Sequence, residues 1–90
     1  MKSIKTYYEG RVQGVGFRWT VKNLAREYDV SGTVRNLPDG RVELVLQGDP
    51  DEVSGILEAI RRSDLAGYIT LESPEPIARI AGLRGFQIIE

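Results

Sequence analysis

The sequence predicts an α+β fold in which two helices pack on a single face of one mostly antiparallel sheet. The chain has 90 residues, of which 41% are apolar and 28% charged, with a formal net charge of −1. That length and balance suit one small hydrophobic core, so we expect a single domain over residues 1–90. Apolar residues alternate with a period of two in several segments and recur at helical spacing in two others. The resulting order is β-α-β-β-α-β, with a possible extra strand.

The first three elements are a strand, a helix and a second strand. Residues 3–12 alternate as a strand does, and we expect this strand to end near Val12. Apolar residues at positions i, i+3, i+4 and i+7 then predict a helix from about Phe17 to Tyr28. Residues 31–36, SGTVRN, are typical of a strand that leads into a turn.

A hairpin turn and a third strand follow. Residues 37–40, LPDG, supply turn chemistry, and residues 41–47 alternate again. The alternation places Val42, Leu44 and Leu46 inward and Glu43 and Gln47 outward.

The second half begins with a helix, predicted from about Pro50 to Arg62. Asp49 is expected to be its N-cap, Pro50 its first residue and Glu52 the partner in a capping box. Residues 68–73 and 85–89 carry strand material, and we expect a surface loop over residues 74–85 between them.

This order is that of the ferredoxin-like split βαβ sandwich. In this topology the first and second strands run parallel with the third inserted between them. Their carboxyl ends therefore lie on one sheet edge, roughly 10 Å apart. Asn36 should face the loop of residues 13–18 across that edge. Because Asn36 shares a strand face with Val34, its amide is expected to point toward the start of the first helix.

Composition excludes much of catalysis. The chain contains neither Cys nor His, so histidine-based nucleophile systems, disulfides and the usual zinc, haem and iron–sulfur ligand sets are excluded. Only carboxylates could ligate a metal in this chain, and we expect neither a metal nor a cofactor.

The charge is distributed unevenly along the chain. Residues 1–48 carry eight Lys and Arg against five Asp and Glu, a net charge of +3, whereas residues 49–90 carry four against eight, a net charge of −4. An anionic ligand would therefore favour the first half.

A glycine-punctuated segment, GRVQGVGFR from Gly10 to Arg18, joins the first strand to the first helix. Unpaired amides and the positive end of a helix can hold phosphate there, and Arg18 can add a two-pronged contact. Val15 and Trp19 stand where Walker and dinucleotide loops require glycine, so neither loop type fits. A phosphocysteine mechanism is excluded because Val12 occupies the nucleophile position.

GRVQGVGFR, together with the later GTVRNLPDGRVE, resembles the signature pair of the acylphosphatase family. The resemblance implies hydrolysis of acyl phosphates to carboxylate and inorganic phosphate, with Arg18 binding phosphate and Asn36 orienting water. Phosphate would be both product and inhibitor. Many relatives carry an aromatic residue where this chain has Thr33, which affects the pocket wall. The expected phosphate-binding set is Gln13, Gly14, Val15, Gly16, Phe17 and Arg18.

The same residues also have structural interpretations. The glycines could make a tight turn, Arg18 could be an ion-paired surface residue, and Asn36 could open the hairpin turn. We expect side chains of five aromatic residues to serve packing or the sheet: Phe17, Trp19, Tyr7, Tyr8 and Tyr28. Arg35 and Arg41 are expected to be solvated.

Two other functional classes occur on a fold of this type. RNA recognition on this fold needs a basic field and paired aromatics on central strands, which the sequence lacks. A non-catalytic ligand-sensing or regulatory domain that binds a phosphate-bearing ligand is the stronger alternative.

The start of the chain lacks the apolar core of a signal peptide, and no apolar stretch is long enough to span a bilayer. We expect a cytoplasmic, metal-independent monomer with no nucleic-acid or membrane partner.

Overall fold

The computed structural model describes residues 1–90 as one five-stranded sheet with two α-helices. The strands are β1 (Lys2–Gly10), β2 (Val30–Asn36), β3 (Val42–Gly48), β4 (Ile69–Pro76) and β5 (Phe86–Ile88), and the helices are α1 (Phe17–Ala25) and α2 (Pro50–Arg61). The strand order is β4-β1-β3-β2-β5, with only the β2–β5 pair parallel. This confirms the predicted α+β, ferredoxin-like fold, and the possible extra strand is β5. No helix has the length and apolar character needed to cross a membrane.

The central strand β3 holds the sheet together. It pairs with β1 on one side and β2 on the other, and all of its residues are buried. Its core-facing side chains meet the apolar stripes of both helices, which follow the predicted 3.6-residue spacing. The fully buried members of this core include Val42, Leu44 and Leu46 of β3, Val21 of α1, and Val53, Ile56 and Ile60 of α2.

The outward face of β3 is buried as well, which the alternation of its sequence did not predict. Glu43 is only 6% exposed and accepts hydrogen bonds from the guanidinium of Arg35, with Nε–Oε1 at 3.0 Å. Gln47 binds both main-chain groups of Ile80, donating from Nε2 at 3.0 Å and accepting at Oε1 at 2.8 Å. The connection from β4 to β5 is therefore anchored on the face away from the helices. Arg35 was expected to be solvated, but it is half-buried and paired.

Strand β1 ends at Gly10, two residues earlier than predicted. The register shifts between Glu9 and Gly10, and Gly10 has a φ of 124°. A Cβ at this position would collide with the carbonyl oxygen of Tyr68, which accepts a hydrogen bond from the amide of Arg11 at 2.9 Å. The chain therefore leaves the sheet here and begins the loop toward α1.

Both helices depart from prediction at their ends. Helix α1 ends at Ala25 because the amides of Glu27 and Tyr28 bond to carbonyls three residues earlier, which tightens the last turn. At the start of α2, Asp49 and Pro50 occupy the predicted positions, but Asp49 makes no side-chain cap bond. The capping box is wrong: Glu52 Oε1 instead accepts from the amide of Asp29 at 2.7 Å, which ties α2 to the residue before β2.

The predicted surface loop of residues 74–85 is wrong at its start, because β4 continues through Pro74 to Pro76. Proline is tolerated there since β4 is an edge strand, in which alternate amides face solvent rather than a partner. A short 3-10 helix, Asp64–Tyr68, precedes β4 and was not predicted. Only residues 77–85 form the connection to β5.

Tyr8 links the core to a charged network on the β4 side. Its ring is fully buried, and its hydroxyl donates to Glu72 at 2.7 Å. Arg61, at the end of α2, binds the other oxygen of Glu72 at 2.8 Å. Burial raises the pKa of Tyr8, and the hydrogen bond to Glu72 acts in the same direction. The folded state therefore favours the neutral phenol.

A raised pKa in the folded state makes stability fall as pH rises through about 10, the ordinary pKa of an exposed tyrosine. We expect the free energy of unfolding of the natural chain, relative to Tyr8→Phe, to fall by about 1.4 kcal/mol between about pH 8 and pH 11. Urea unfolding of both proteins at the two pH values measures this difference. An unchanged difference would contradict the buried, neutral state of the phenol, and Tyr7→Phe serves as the control for a less buried tyrosine.

Candidate active site

A cavity of about 210 Å³ opens at the sheet edge where β1 and β2 end. It lies between the loop before α1, the first turn of α1 and the end of β2, as the topology predicted. Eight residues line it: Val12, Gly14, Gly16, Phe17, Arg18, Trp19, Asn36 and Ile88.

The loop before α1 presents main-chain donors that no protein group uses. Gly14 and Gly16 have φ values of 79° and 78°, a left-handed conformation that glycine adopts without strain. The amides of residues 13–16 donate no hydrogen bond within the protein. Gly16 is the N-cap of α1 and has no side chain that could accept hydrogen bonds from the first amides of the helix. The first turn of α1 also has no acidic residue. The positive end of α1 is therefore uncompensated at the cavity.

Arg18 lies in the first turn of α1 and is half-buried. Its guanidinium makes no salt bridge and no hydrogen bond with the protein. The structure therefore gives no support to an ion-paired surface role for Arg18, in contrast to Arg35 and Arg61, which bind carboxylates. A guanidinium without a protein partner beside free amides can bind an anion with two oxygens at once.

Asn36 is the last residue of β2 and lines the cavity. Its Oδ1 is buried and has no hydrogen-bond donor in the protein. The hairpin turn is closed by other groups, since Leu37 N donates to Arg41 O at 2.8 Å and Asp39 Oδ1 accepts from Arg41 N at 3.0 Å. That bond from the Arg41 amide lowers the pKa of the Asp39 carboxyl. The Asn36 side chain thus makes no hydrogen bond to the turn, and its buried oxygen is left without a donor.

Gln13 and Val15 belong to the loop but do not line the cavity. Gln13 Nε2 donates to Leu37 O at 2.8 Å and to Arg41 O at 3.0 Å, so its side chain binds the hairpin that follows Asn36. Val15 packs against the core. Sequence reasoning assigned Gln13 only through its amide and missed this clamp, because the hairpin carbonyls it binds lie more than twenty residues along the chain.

The two aromatic residues beside the loop behave differently from each other. Phe17 serves packing, as predicted, with its ring centroid 5.1 Å from that of Tyr8. The expectation that Trp19 serves packing is wrong, because Trp19 is 67% exposed at the rim of the cavity. On α1 the buried stripe passes through Phe17, Val21 and Ala25, and Trp19 lies off that stripe.

Comparison with known proteins identifies the family of this chain. The acylphosphatase family model matches residues 4–88. The chain is 40% identical to an acylphosphatase of Thermococcus kodakarensis, with 99% of each protein covered. The chain belongs to the acylphosphatase family. The crystal structure of an acylphosphatase from Bacillus subtilis superimposes with a TM-score of 0.90 at 31% identity and full coverage of both chains.

Family membership makes this protein a hydrolase whose substrates are small acyl phosphates. It favours the enzyme over the ligand-sensing alternative. The same fold also matches T. kodakarensis HypF with a TM-score of 0.86 at 27% identity, where it covers 12% of that chain. A fold of this type therefore occurs both as most of a protein and as a small part of a longer one.

The Gln13 clamp leads to a prediction about the geometry of the acylphosphatase site. Gln13→Leu keeps the side-chain volume but removes both donated hydrogen bonds, so the loop loses its direct connection to the hairpin that follows Asn36. We expect kcat/KM for an acyl phosphate to fall about tenfold, since small displacements of reacting groups are costly. The free energy of unfolding should change by less than about 1.5 kcal/mol, because the bonds are exposed.

Gln87→Leu is the matched control, because Gln87 is exposed on β5 and does not line the cavity. Steady-state kinetics measures kcat/KM, and urea unfolding measures the free energy of unfolding, for the natural chain, Gln13→Leu and Gln87→Leu. Equal kcat/KM for Gln13→Leu and the natural chain would show that the clamp has no part in positioning the loop.

Proposed function

We propose that this acylphosphatase hydrolyses the carboxyl–phosphate bond by in-line attack of a water molecule that Asn36 orients. In this mechanism Arg18 and the amides of residues 13–18 hold the phosphoryl group. The observation that supports the proposal best is the convergence on one cavity of three kinds of polar group that lack protein partners. These are the amides of Gly14 and Gly16, the Arg18 guanidinium and Asn36 Oδ1.

Phosphoryl binding is assigned to the loop and to Arg18. The loop amides can donate to the equatorial oxygens of the phosphoryl group, and the positive end of α1 favours its negative charge. The transition state of phosphoryl transfer keeps charge on these oxygens, so fixed donors stabilise it without moving. Each such donor is worth on the order of 2 to 4 kcal/mol of activation free energy. The mechanism uses no metal.

Asn36 is assigned to the attacking water. Its buried Oδ1 can accept a hydrogen bond from that water, which satisfies the acceptor and fixes the direction of attack. An amide cannot act as a base at neutral pH, so the proton of the water passes to a phosphoryl oxygen of the substrate. Attack forms the bond from water oxygen to phosphorus.

The leaving group needs no acid catalyst. The bond between phosphorus and the acyl oxygen breaks with its electron pair on that oxygen, which gives a carboxylate. The conjugate acid of a carboxylate has a pKa of about 4, so the group leaves without protonation. This agrees with a site that lacks a general acid: the residues lining the cavity include no Asp, Glu, Lys or Tyr. The products are a carboxylate and inorganic phosphate.

Two substitutions separate the proposed roles. Arg18→Ala should lower kcat/KM by about 10² to 10³-fold and weaken inhibition by phosphate, because it removes a phosphoryl contact. Asn36→Ala should lower kcat by about 10²-fold and leave phosphate inhibition within about threefold, because it removes only the orientation of water. Steady-state kinetics with a synthetic acyl phosphate in the presence of EDTA measures both effects.

Arg26→Ala and Asn23→Ala are the matched controls, since both residues lie on or next to α1 outside the cavity. Circular dichroism establishes that each variant folds. Equal rates in the natural chain, Arg18→Ala and Asn36→Ala would overturn the proposed mechanism while leaving the family assignment in place.

Inorganic phosphate should inhibit competitively, because it occupies the same amides and guanidinium as the phosphoryl group. We expect the apparent KM to rise in millimolar phosphate with kcat unchanged. Initial rates over a matrix of substrate and phosphate concentrations measure this. A rate that millimolar phosphate leaves unchanged would argue against the loop as the binding element.

We also propose that residues 1–90 act as one domain and as a monomer. The two edges of the sheet support this, because β4 carries Pro74 and Pro76 and β5 has only three residues. Short edges and edge prolines disfavour pairing with a second sheet.

A further inference from the structure

The rim of the cavity carries an apolar surface that the proposed mechanism does not use. Trp19 is 67% exposed and Ile88 is 37% exposed, and both line the cavity. The other two apolar lining residues, Val12 and Phe17, are buried. The polar groups of the cavity are all assigned to the phosphoryl group and the water. The cavity thus combines a polar phosphoryl site with an apolar rim.

The placement of Trp19 and Ile88 follows from the two elements that carry the catalytic groups. Trp19 is next to Arg18 in α1, so their side chains leave the helix about 100° apart, on adjoining sides of its first turn. Ile88 pairs with Val34 across the β2–β5 ladder, two residues before Asn36. Each apolar side chain therefore lies beside one of the two proposed catalytic residues, and together they line one cavity.

An acyl phosphate joins its phosphoryl group to its acyl group through a single oxygen. With the phosphoryl group held by the loop amides and Arg18, the acyl group must leave the phosphoryl site along the rest of the cavity, whose exposed apolar wall is Trp19 and Ile88. An apolar acyl group gains by covering the indole, and an aromatic ring gains further from stacking on it. A charged acyl group would lose hydration there without a partner.

We propose that Trp19 and Ile88 form the acyl-group subsite and that the enzyme prefers acyl phosphates whose acyl group is apolar, aromatic above all. This inference rests on the proposed function, because it takes the phosphoryl group to be held by Arg18 and the loop. Trp19 is in this view a specificity-determining residue that takes no part in bond breaking.

A second surface competes for the acyl group. Lys22 on α1 and Arg26 at its C-cap follow Arg18 at four-residue intervals and make no salt bridge. They line a separate groove with Phe86 and would favour an acyl group that carries a second negative charge. The cavity itself favours the apolar subsite, because neither Lys22 nor Arg26 is among its lining residues.

The kinetic test compares benzoyl phosphate, acetyl phosphate and succinyl phosphate, which bear an aromatic, a small apolar and an anionic acyl group. In the natural chain we expect kcat/KM to be highest for benzoyl phosphate. In Trp19→Ala the ratio of kcat/KM for benzoyl phosphate to kcat/KM for acetyl phosphate should fall about tenfold. Trp19→Phe should keep most of the ratio, and Leu71→Ala, which alters an exposed apolar residue of β4, should keep all of it. The inhibition constant for phosphate, which has no acyl group, should be unchanged in every variant.

A binding test is independent of turnover. Trp19 is the only tryptophan, so protein fluorescence excited at the indole band reports on this subsite alone. Phenacylphosphonate and acetonylphosphonate replace the bridging oxygen by a methylene and cannot be hydrolysed at that bond. In calorimetry we expect phenacylphosphonate to bind about tenfold more tightly than acetonylphosphonate. Phenacylphosphonate should also alter the Trp19 emission strongly, whereas inorganic phosphate should alter it little.

Three results would overturn the acyl subsite. Succinyl phosphate could be the best substrate, which would assign the acyl group to Lys22 and Arg26. Trp19→Ala could lower kcat/KM equally for all substrates and weaken phosphate binding, which would mean that Trp19 only supports the loop. Phenacylphosphonate could bind without any change in Trp19 emission. Failure of the proposed function is distinct, because then phosphate and both phosphonates would bind equally well to the natural chain and to Arg18→Ala.

Discussion

The backbone pairing of β3 with both β1 and β2 is the constraint on which the site depends. β3 is buried on both faces and exchanges main-chain hydrogen bonds with two neighbours, so β1 and β2 are held parallel at a fixed separation. The loop that follows β1 and the asparagine that ends β2 consequently meet at one sheet edge. A fold in which β1 and β2 ran antiparallel would place the amides of residues 13–18 and Asn36 at opposite ends of the sheet. The chemistry of this acylphosphatase is thus a consequence of strand order.

The site differs from the rest of the molecule in how its polar groups are satisfied. Elsewhere most buried or half-buried polar side chains have partners inside the protein, as in the Arg35–Glu43 pair and in Tyr8, Glu72 and Arg61, and Thr6 Oγ1 is the exception. At the cavity the loop amides, Arg18 and Asn36 Oδ1 have none. Leaving such groups unpaired lowers stability, and a small domain can sustain it only where the surrounding structure is rigid. Here the buried Phe17 against Tyr8, and the Gln13 clamp on the hairpin, hold the loop in place.

The errors of sequence reasoning have two origins. The alternation in β3 gave the correct faces but not the burial of Glu43 and Gln47, which arises because Arg35 and the β4–β5 connection cover the outer face. The expected capping box is absent because Glu52 accepts a hydrogen bond from the amide of Asp29, a residue distant in sequence. Trp19 was assigned to packing since large aromatic residues are usually buried, whereas the stripe of α1 leaves it at the rim. The first two errors concern contacts between segments far apart along the chain, whereas the error at Trp19 came from relying on residue type rather than on its position in the helix.

The sequence by itself determined the element types, the fold class and the pair of motifs that identify the family, because periodicity, turn chemistry and motif spacing are local properties. It also excluded thiol and imidazole chemistry, since the chain contains neither Cys nor His. Only the tertiary structure decided which polar groups lack a protein partner, that Gln13 binds the hairpin, and that Trp19 and Ile88 stand beside Arg18 and Asn36. Those facts depend on packing between distant segments, and no local pattern encodes how such segments meet.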